Sequence, residues 1–324
     1  MSTNVDHYLA AAERENTQRS YRSALRHFEQ SWGGLLPASE EMIARYLADH
    51  AETLSISTLR QRLAALARWH SEQGFVDPTR APRVRQVMKG IRSLHATPPR
   101  QAQPLALETL ETVTRLLQTE EDCAILSNRP GEALRAARDR ALFLVGFWRG
   151  FRSDELARLR IEHIEVTEGQ GMRIFLAQSK GDRENAGRQY DCPALSRCCP
   201  VAAYNHWLDV SGLVEGPAFR KIDRHGAVQA GALHPGSLAP LLRGRLEKAG
   251  LLDNRKEAGF SSHSLRRGLA NWARDSGWDV KALMAYVGWK DMRSALRYLE
   301  DDPGRLQDRF EQDLQAQVGV PKNI

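Results

Sequence analysis

Apolar residues recur every three or four positions along most of the chain, the period of an amphipathic helix. In NTQRSYRSALRHFEQSW, Tyr21, Leu25 and Phe28 share a stripe, as do Leu59, Leu63, Leu66 and Trp69 in SISTLRQRLAALARWHSEQG. Ser39 stands where its oxygen can cap the helix of ASEEMIARYLADHAE, whose first turn is acidic, and Gly74 stops the run before it reaches a fourth helix in TRAPRVRQVMKGIRSLH. These patterns predict a helical bundle over residues 1–95. HATPPRQAQPL then breaks the period with three prolines in eleven residues, which predicts a linker at 96–105. Beyond it, ALETLETVTRLLQ and ALRAARDRALFLVGFWRG read as helices. MRIFLAQSK and RQYDCP read as strands about the turn-rich GDRENAG. CPVAAYNHWLDVSG, HPGSLAPLLRGRLEKAG, SSHSLRRGLANWARDSG, VKALMAYVG, DMRSALRYL and GRLQDRFEQDLQAQ read as further helices. The expectation is a mainly α protein with a small antiparallel β-sheet, its second domain an α+β unit over residues 106–324.

Composition narrows the partners. The 324 residues suffice for two domains, each with its own core. No apolar run approaches the length of a membrane span and no charged-then-apolar leader opens the chain, so a cytoplasmic protein without a membrane partner is expected. The formal net charge of +6 and the predominance of arginine favour an acidic partner, since the planar guanidinium suits phosphate. Arg80, Arg83, Arg85, Lys89, Arg92 and Arg100 succeed one another with no acidic residue between them, a pattern that suits the backbone of DNA better than a plain solvated face. Cys123, Cys192, Cys198 and Cys199 form no C-x-x-C pair and read as buried free thiols. No metal, cofactor or structural disulfide is expected.

Candidate chemistry lies in four short segments. His263 precedes Arg266 by three positions on a helix that Ser261 or Ser262 can cap, so the two can face one ligand, while Arg267 is turned about 100° away. Alone, such a pair reads more readily as structural. Arg152 follows Gly150 and precedes a helix for which Ser153 is a candidate cap and Glu155 a first-turn acid; Lys180 ends a strand at a hairpin tip. Gly288 and Trp289 interrupt YVGWKDMRSALRYLEDDPG, and Tyr298 closes its second helix. An unbroken helix would set Trp289 and Tyr298 on opposite faces, so a bend between Gly288 and Asp291 is needed to bring them to one ligand. Taken singly, Tyr286 and Tyr298 read as core residues.

In order along the chain, Arg152, Lys180, His263, Arg266, Trp289 and Tyr298 resemble the R…K…H-x-x-R…H/W…Y pattern of the tyrosine recombinase, or phage integrase, family. The pattern spans residues 107–303, and the basic helical first part resembles that family's SAM-like core-binding domain. Many members carry histidine where Trp289 stands, but tryptophan keeps an N–H donor. The resemblance implies a site-specific DNA recombinase, an integrase or resolvase working through a 3′-phosphotyrosyl intermediate and a Holliday junction. It implies that Arg152 and Arg266 bind the non-bridging oxygens, Lys180 protonates the leaving 5′ oxygen, His263 handles the proton of the attacking hydroxyl, Trp289 donates to the phosphate and Tyr298 is the nucleophile. Glu155 would support the site from behind. Conservation of the ester's energy would make ATP and metal unnecessary. The implied partners are double-stranded DNA and three further copies in a homotetramer on two DNA sites, with room for accessory DNA-bending proteins. Leu306, Phe310 and Leu314 form an apolar stripe beyond Pro303, which the resemblance docks into a neighbouring protomer and which otherwise packs on its own domain. Two rival readings stand beside this one: a helix-turn-helix regulator without catalysis, which leaves Arg152 and Lys180 unexplained, and a topoisomerase of type IB kind, which shares the chemistry without strand exchange.

Overall fold

Among the described residues, the chain is helical where apolar residues repeat at helical spacing, and short polar side chains start several of the helices. The computed structural model describes residues 15–95, 101–167, 169–177, 187–252 and 259–299. Arg100, Lys180 and the stripe of Leu306, Phe310 and Leu314 lie outside the described residues. Two compact units divide the chain, Met1–Pro99 and Arg100–Ile324.

In the first unit, α1 (Glu15–Arg26) runs on into a π-helical turn (His27–Ser31), followed by α2 (Glu40–Asp49), α3 (Ile56–Glu72) and α4 (Pro82–Leu94). The Ser39 hydroxyl accepts from the Met42 amide at 3.2 Å, and the Ser55 hydroxyl accepts from the Thr58 amide at 3.1 Å, each satisfying a free donor of a first turn. Phe28, Ile43, Tyr46, Leu59, Leu66, Val84 and Met88 build the core. Of the predicted stripes, Tyr21, Leu25, Leu63 and Trp69 are only half-buried, at the rim of that core. Burial of Val84, Met88 and Ile91 turns the other side of α4 outward, so Arg83, Arg85, Lys89 and Arg92 are exposed, as is Arg80 just before the helix. The basic run is not free of acids in space. Arg83 pairs with Glu41 at 2.9 Å and Arg80 with Asp77 at 3.3 Å, and both carboxylates lie outside the run in sequence.

The second unit is built around α6 (Pro130–Arg149), which is buried on nearly every side from Ala136 onward and packs on α5 (Leu107–Leu126). A short α7 (Ser153–Ala157) precedes an antiparallel sheet ordered β1 (Ile164–Thr167), β2 (Gly171–Leu176), β3 (Arg188–Pro193). Met172, Ile174 and Leu176 of β2 face the core while Arg173 and Phe175 face outward, the alternation of a half-buried strand. Ile174 pairs with Ile164 on one side and Tyr190 on the other. Then come α8 (Pro200–Ser211), a second sheet of β4 (Arg220–Ile222) and β5 (Val228–Ala232), α9 (Leu238–Lys248), α10 (Ser264–Asp275), α11 (Val280–Val287) and α12 (Met292–Leu299). The protein is thus mainly α with small antiparallel sheets. β1 and the β4–β5 ribbon were not anticipated, because strands of three to five residues show too little alternation.

Three further differences have local causes. The cysteines are free, yet only Cys192 is buried, with its thiol pushed up to about 12 by that burial; Cys198 and Cys199 are half-buried and Cys123 is exposed. The period of α5 turns Leu117, Glu121 and Ala124 inward and leaves Cys123 outside. Residues 101–105, expected in the linker, lie on α10: the Leu105 amide donates to the Ser264 carbonyl at 3.0 Å and the Leu105 side chain is buried. A Cβ at Gly268 would meet the Leu105 carbonyl, so only glycine lets this strap approach so closely. No helix among the described residues is long and apolar enough to cross a membrane.

Candidate active site

The site begins where α6 stops. Gly150 takes the left-handed conformation at φ +59°, and the chain turns through Phe151 into the extended Arg152. Ser153 does not cap α7; Arg152 occupies that position and Glu155, three residues on, reaches back to it. The Glu155 carboxylate accepts from the Arg152 amide at 2.8 Å and from its guanidinium at 2.7 Å. A buried carboxylate at a first turn so replaces the serine cap expected there.

α10 supplies the second arginine. Neither Ser261 nor Ser262 caps it. The Ser261 hydroxyl accepts from the His263 amide at 3.1 Å and the Ser264 hydroxyl from the Ser261 amide at 2.8 Å, a tight turn that brings His263 to the cap position and starts the helix at Ser264. Arg266 is 2% exposed, and its guanidinium donates to the Gly150 carbonyl at 2.8 Å and lies 3.5 Å from Glu155. Glu155 therefore stands between both guanidiniums and offsets their repulsion. Burial, reinforced by the Arg152 charge and opposed by Glu155, pulls Arg266 down to about 10, so it stays cationic at neutral pH.

The bend that Trp289 and Tyr298 require is present. Gly288 ends α11 at φ +82°, and the Gly288 and Trp289 amides share the Met284 carbonyl at 2.8 and 2.9 Å. The Asp291 carboxylate accepts from the Arg293 amide at 3.2 Å and starts α12. The Trp289 and Tyr298 rings stack with centroids 5.1 Å apart, and the Arg266 guanidinium lies 5.3 Å from one and 5.7 Å from the other. The Tyr298 hydroxyl is 3.2 Å from His263 Nδ1. Arg152, Glu155, His263, Arg266, Trp289 and Tyr298 are thus brought together; Lys180 belongs to the segment between β2 and β3 outside the described residues. Arg80, Arg83, Arg85, Lys89 and Arg92 belong to the first unit.

Two guanidiniums, an indole N–H, an imidazole and a phenol hydroxyl together match the needs of a phosphodiester under attack: cationic donors for the non-bridging oxygens and a nucleophile beside a base. Trp289 Nε1 is buried with no hydrogen-bond partner among the described residues, a donor in want of an acceptor. No cluster of three His, Cys, Asp or Glu side chains suited to a metal occurs among the described residues. One residue beside the site went unread in the sequence. Arg149 closes the most apolar run of the chain, where a lone charge is the only signal, and it is 1% exposed.

Residues 109–305 match the Phage integrase family. The chain is 31% identical over 309 residues to the integrase/recombinase xerD homolog of Selenomonas ruminantium, covering 93% of this chain and 86% of that protein. It is 25% identical over 279 residues to recombinase cre of Escherichia phage P1, covering 82% and 77%. Its fold is similar to that of a lambda integrase dimer bound to a COC′ core site, with a TM-score of 0.61 at 15% identity over 92% of this chain and 75% of that one. It is also similar to XerH site-specific recombinase bound to difH substrate, with a TM-score of 0.56 at 18% identity over 90% and 77%.

Proposed function

The chain belongs to the phage integrase family, and on that premise we propose that it is a site-specific tyrosine recombinase that cuts and rejoins double-stranded DNA through Tyr298. The observation that carries this reading is the convergence of the Tyr298 hydroxyl on His263 beside two arginines joined by one buried carboxylate. Tyr298 attacks the phosphorus and gives its proton to His263, while Arg152, Arg266 and the Trp289 N–H bind the oxygens on which charge grows. The bond to the 5′ oxygen breaks, Lys180 protonates that oxygen, and the 3′ phosphate remains esterified to Tyr298. A 5′ hydroxyl of another strand then reverses the step. Because one ester replaces another, neither ATP nor a metal is consumed, and two rounds proceed through a Holliday junction.

A solved lambda integrase tetramer bound to a Holliday junction supports assembly by fours, and we extend that arrangement to this chain on two DNA sites. The first unit acts as the core-binding domain, with Arg80, Arg83, Arg85, Lys89 and Arg92 against the phosphate backbone. The tail stripe of Leu306, Phe310 and Leu314 docks into the neighbouring protomer, accessory proteins assist assembly, and the work is done in the cytoplasm. The stacking of Trp289 and Tyr298 on Arg266 speaks against a purely DNA-reading helix-turn-helix, whose second helix would keep such side chains for bases.

A nicked duplex carrying the site that the wild-type chain selects from a randomised library tests the reading. The wild-type chain accumulates a covalent protein–DNA adduct and exchanges strands between two such duplexes; Tyr298→Phe binds equally well and forms no adduct. Adduct from Tyr298→Phe overturns the assignment, and adduct without exchange by the wild type turns the reading to a topoisomerase.

A further inference from the structure

The last turns of α6 and α11 are clasped in both directions. Arg149 ends α6, and its guanidinium donates to the Tyr286 carbonyl at 2.6 Å and to the Asp191 carbonyl of β3 at 3.2 Å. In return the Tyr286 hydroxyl donates to the Trp148 carbonyl at 2.6 Å. The guanidinium also lies 4.0 Å from the centre of the Tyr286 ring and 4.9 Å from that of Tyr190. Arg188 of β3 adds a bond to the neighbouring Ala285 carbonyl at 2.8 Å.

No carboxylate among the described residues pairs with Arg149, although a buried cation is costly without compensation. Its compensation comes from the Tyr286 carbonyl at a helix end, which carries partial negative charge, from the Asp191 carbonyl of β3, and from ring faces that attract cations more strongly when dry. α11 has eight residues, too few for a helix to hold itself, so contacts from α6 and β3 decide where its last turn lies. Trp289 follows Tyr286 by three residues. On the other side of the clasp, Gly150 follows Arg149 and presents its carbonyl to Arg266, and Arg152 comes two residues later. The clasp joins the segment that delivers Trp289 to the segment that delivers Arg152 and the Gly150 carbonyl on which Arg266 is seated.

We propose that Arg149 and Tyr286 are positioning residues for the cleavage step: without touching DNA, they hold the Trp289 indole N–H at the phosphate that Arg152 and Arg266 bind. This rests on the recombinase reading above. The test uses the full chain at saturating concentration in single turnover on the nicked, selected duplex. Arg149→Met and Tyr286→Phe keep duplex affinity within about twofold and slow adduct formation about tenfold, the scale of one lost hydrogen bond. Arg149→Lys, which keeps the charge without the two-pronged fork, restores only part of the rate. The deciding measurement is a double-mutant cycle with Trp289→Phe: if the clasp acts through the indole, Arg149→Met slows that variant by less than about twofold. Equal slowing in both backgrounds, or a loss of affinity that accounts for the loss of rate, overturns the proposal. If Arg149→Met does not fold, Tyr286→Phe, which removes one hydroxyl, completes the same cycle. Adduct from Tyr298→Phe would strike the recombinase reading itself, whereas an inactive Tyr298→Phe beside an unimpaired Tyr286→Phe strikes only the clasp.

Discussion

The basic residues of the first unit and the arginines of the second differ in how they are held. Arg85, Lys89 and Arg92 stand exposed along one face of α4, and Arg80 and Arg83 share surface pairs with Asp77 and Glu41. Arg266 is buried and Arg152 partly so, and both are oriented by Glu155. Exposed charges are screened by salt and their pairs are worth little, whereas a buried pair is costly to break. On the function proposed, an exposed row meets a charged polymer as a diffuse field, its members interchangeable, and the buried pair meets a single phosphate from a defined direction. Burial separates the two uses, and one residue type serves both.

The largest expected effect tests the proposed division of the site between groups that orient the phosphate and the group that moves a proton. Lys180→Ala and Arg152→Ala should each slow cleavage by about a thousandfold, within the range for loss of an acid or of a transition-state donor. A substrate with sulfur at the 5′ bridging position leaves without protonation, so it should restore cleavage by Lys180→Ala and not by Arg152→Ala. Equal restoration of both variants would erase the division. Next in size, Glu155→Gln removes the charge that holds both guanidiniums. Adduct formation should fall about a hundredfold, and thermal unfolding should report a loss of about 2–3 kcal/mol, below the roughly 3–5 usual for a broken buried pair because Arg152 is partly exposed to solvent screening. A variant within tenfold of wild type would mean that the arginines are oriented by something other than this carboxylate.

On the exposed side, Arg85→Gln with Lys89→Gln should make the logarithmic salt dependence of DNA binding shallower by about 2, close to one unit per lost phosphate contact. Cleavage at saturating protein should be unchanged. An unaltered slope would reduce this face to a solvated one. The smallest effect concerns acid. His27 and His50 meet edge to face with centroids 4.9 Å apart, and burial followed by the nearby Arg62 lowers both below their ordinary value; Asp49 partly opposes this for His50. Below about pH 6.5 the unfolded chain binds protons that the folded one resists, so stability holds above that pH and declines as pH falls through it. Amide-exchange protection factors in α1 and α2, taken relative to the intrinsic rate at each pH, should fall between about pH 7.5 and 5.5, and His27→Gln with His50→Gln should flatten the change. The same fall in protection in the double variant would assign the acid sensitivity elsewhere.

Much of the helical framework was legible in the chain, for a local reason. The caps at Ser39 and the stop at Gly288 involve residues within one turn of each other, so spacing alone indicates them. The cap of α10 was not legible, since several serines within four residues could serve and the turn is set by Ser264, whose carbonyl is bound by the distant Leu105 amide. Of the six residues read in order, the fold brings together Arg152, His263, Arg266, Trp289 and Tyr298, while Lys180 lies outside the described residues. The clasp was not legible, because Arg149 shows in sequence only as a charge at the end of an apolar run and Tyr286 only as an aromatic at helical spacing.

By itself the sequence determined the periods, the cap at Ser39, the glycine stops and the order of reactive side chains, all of which depend on neighbours a few residues away. Tertiary structure alone decided which arginines are buried, which carboxylate holds them and where the apolar run ends against another helix. Those outcomes rest on contacts such as that of Arg266 with the Gly150 carbonyl, 116 residues apart, and burial and orientation exist only once such segments meet.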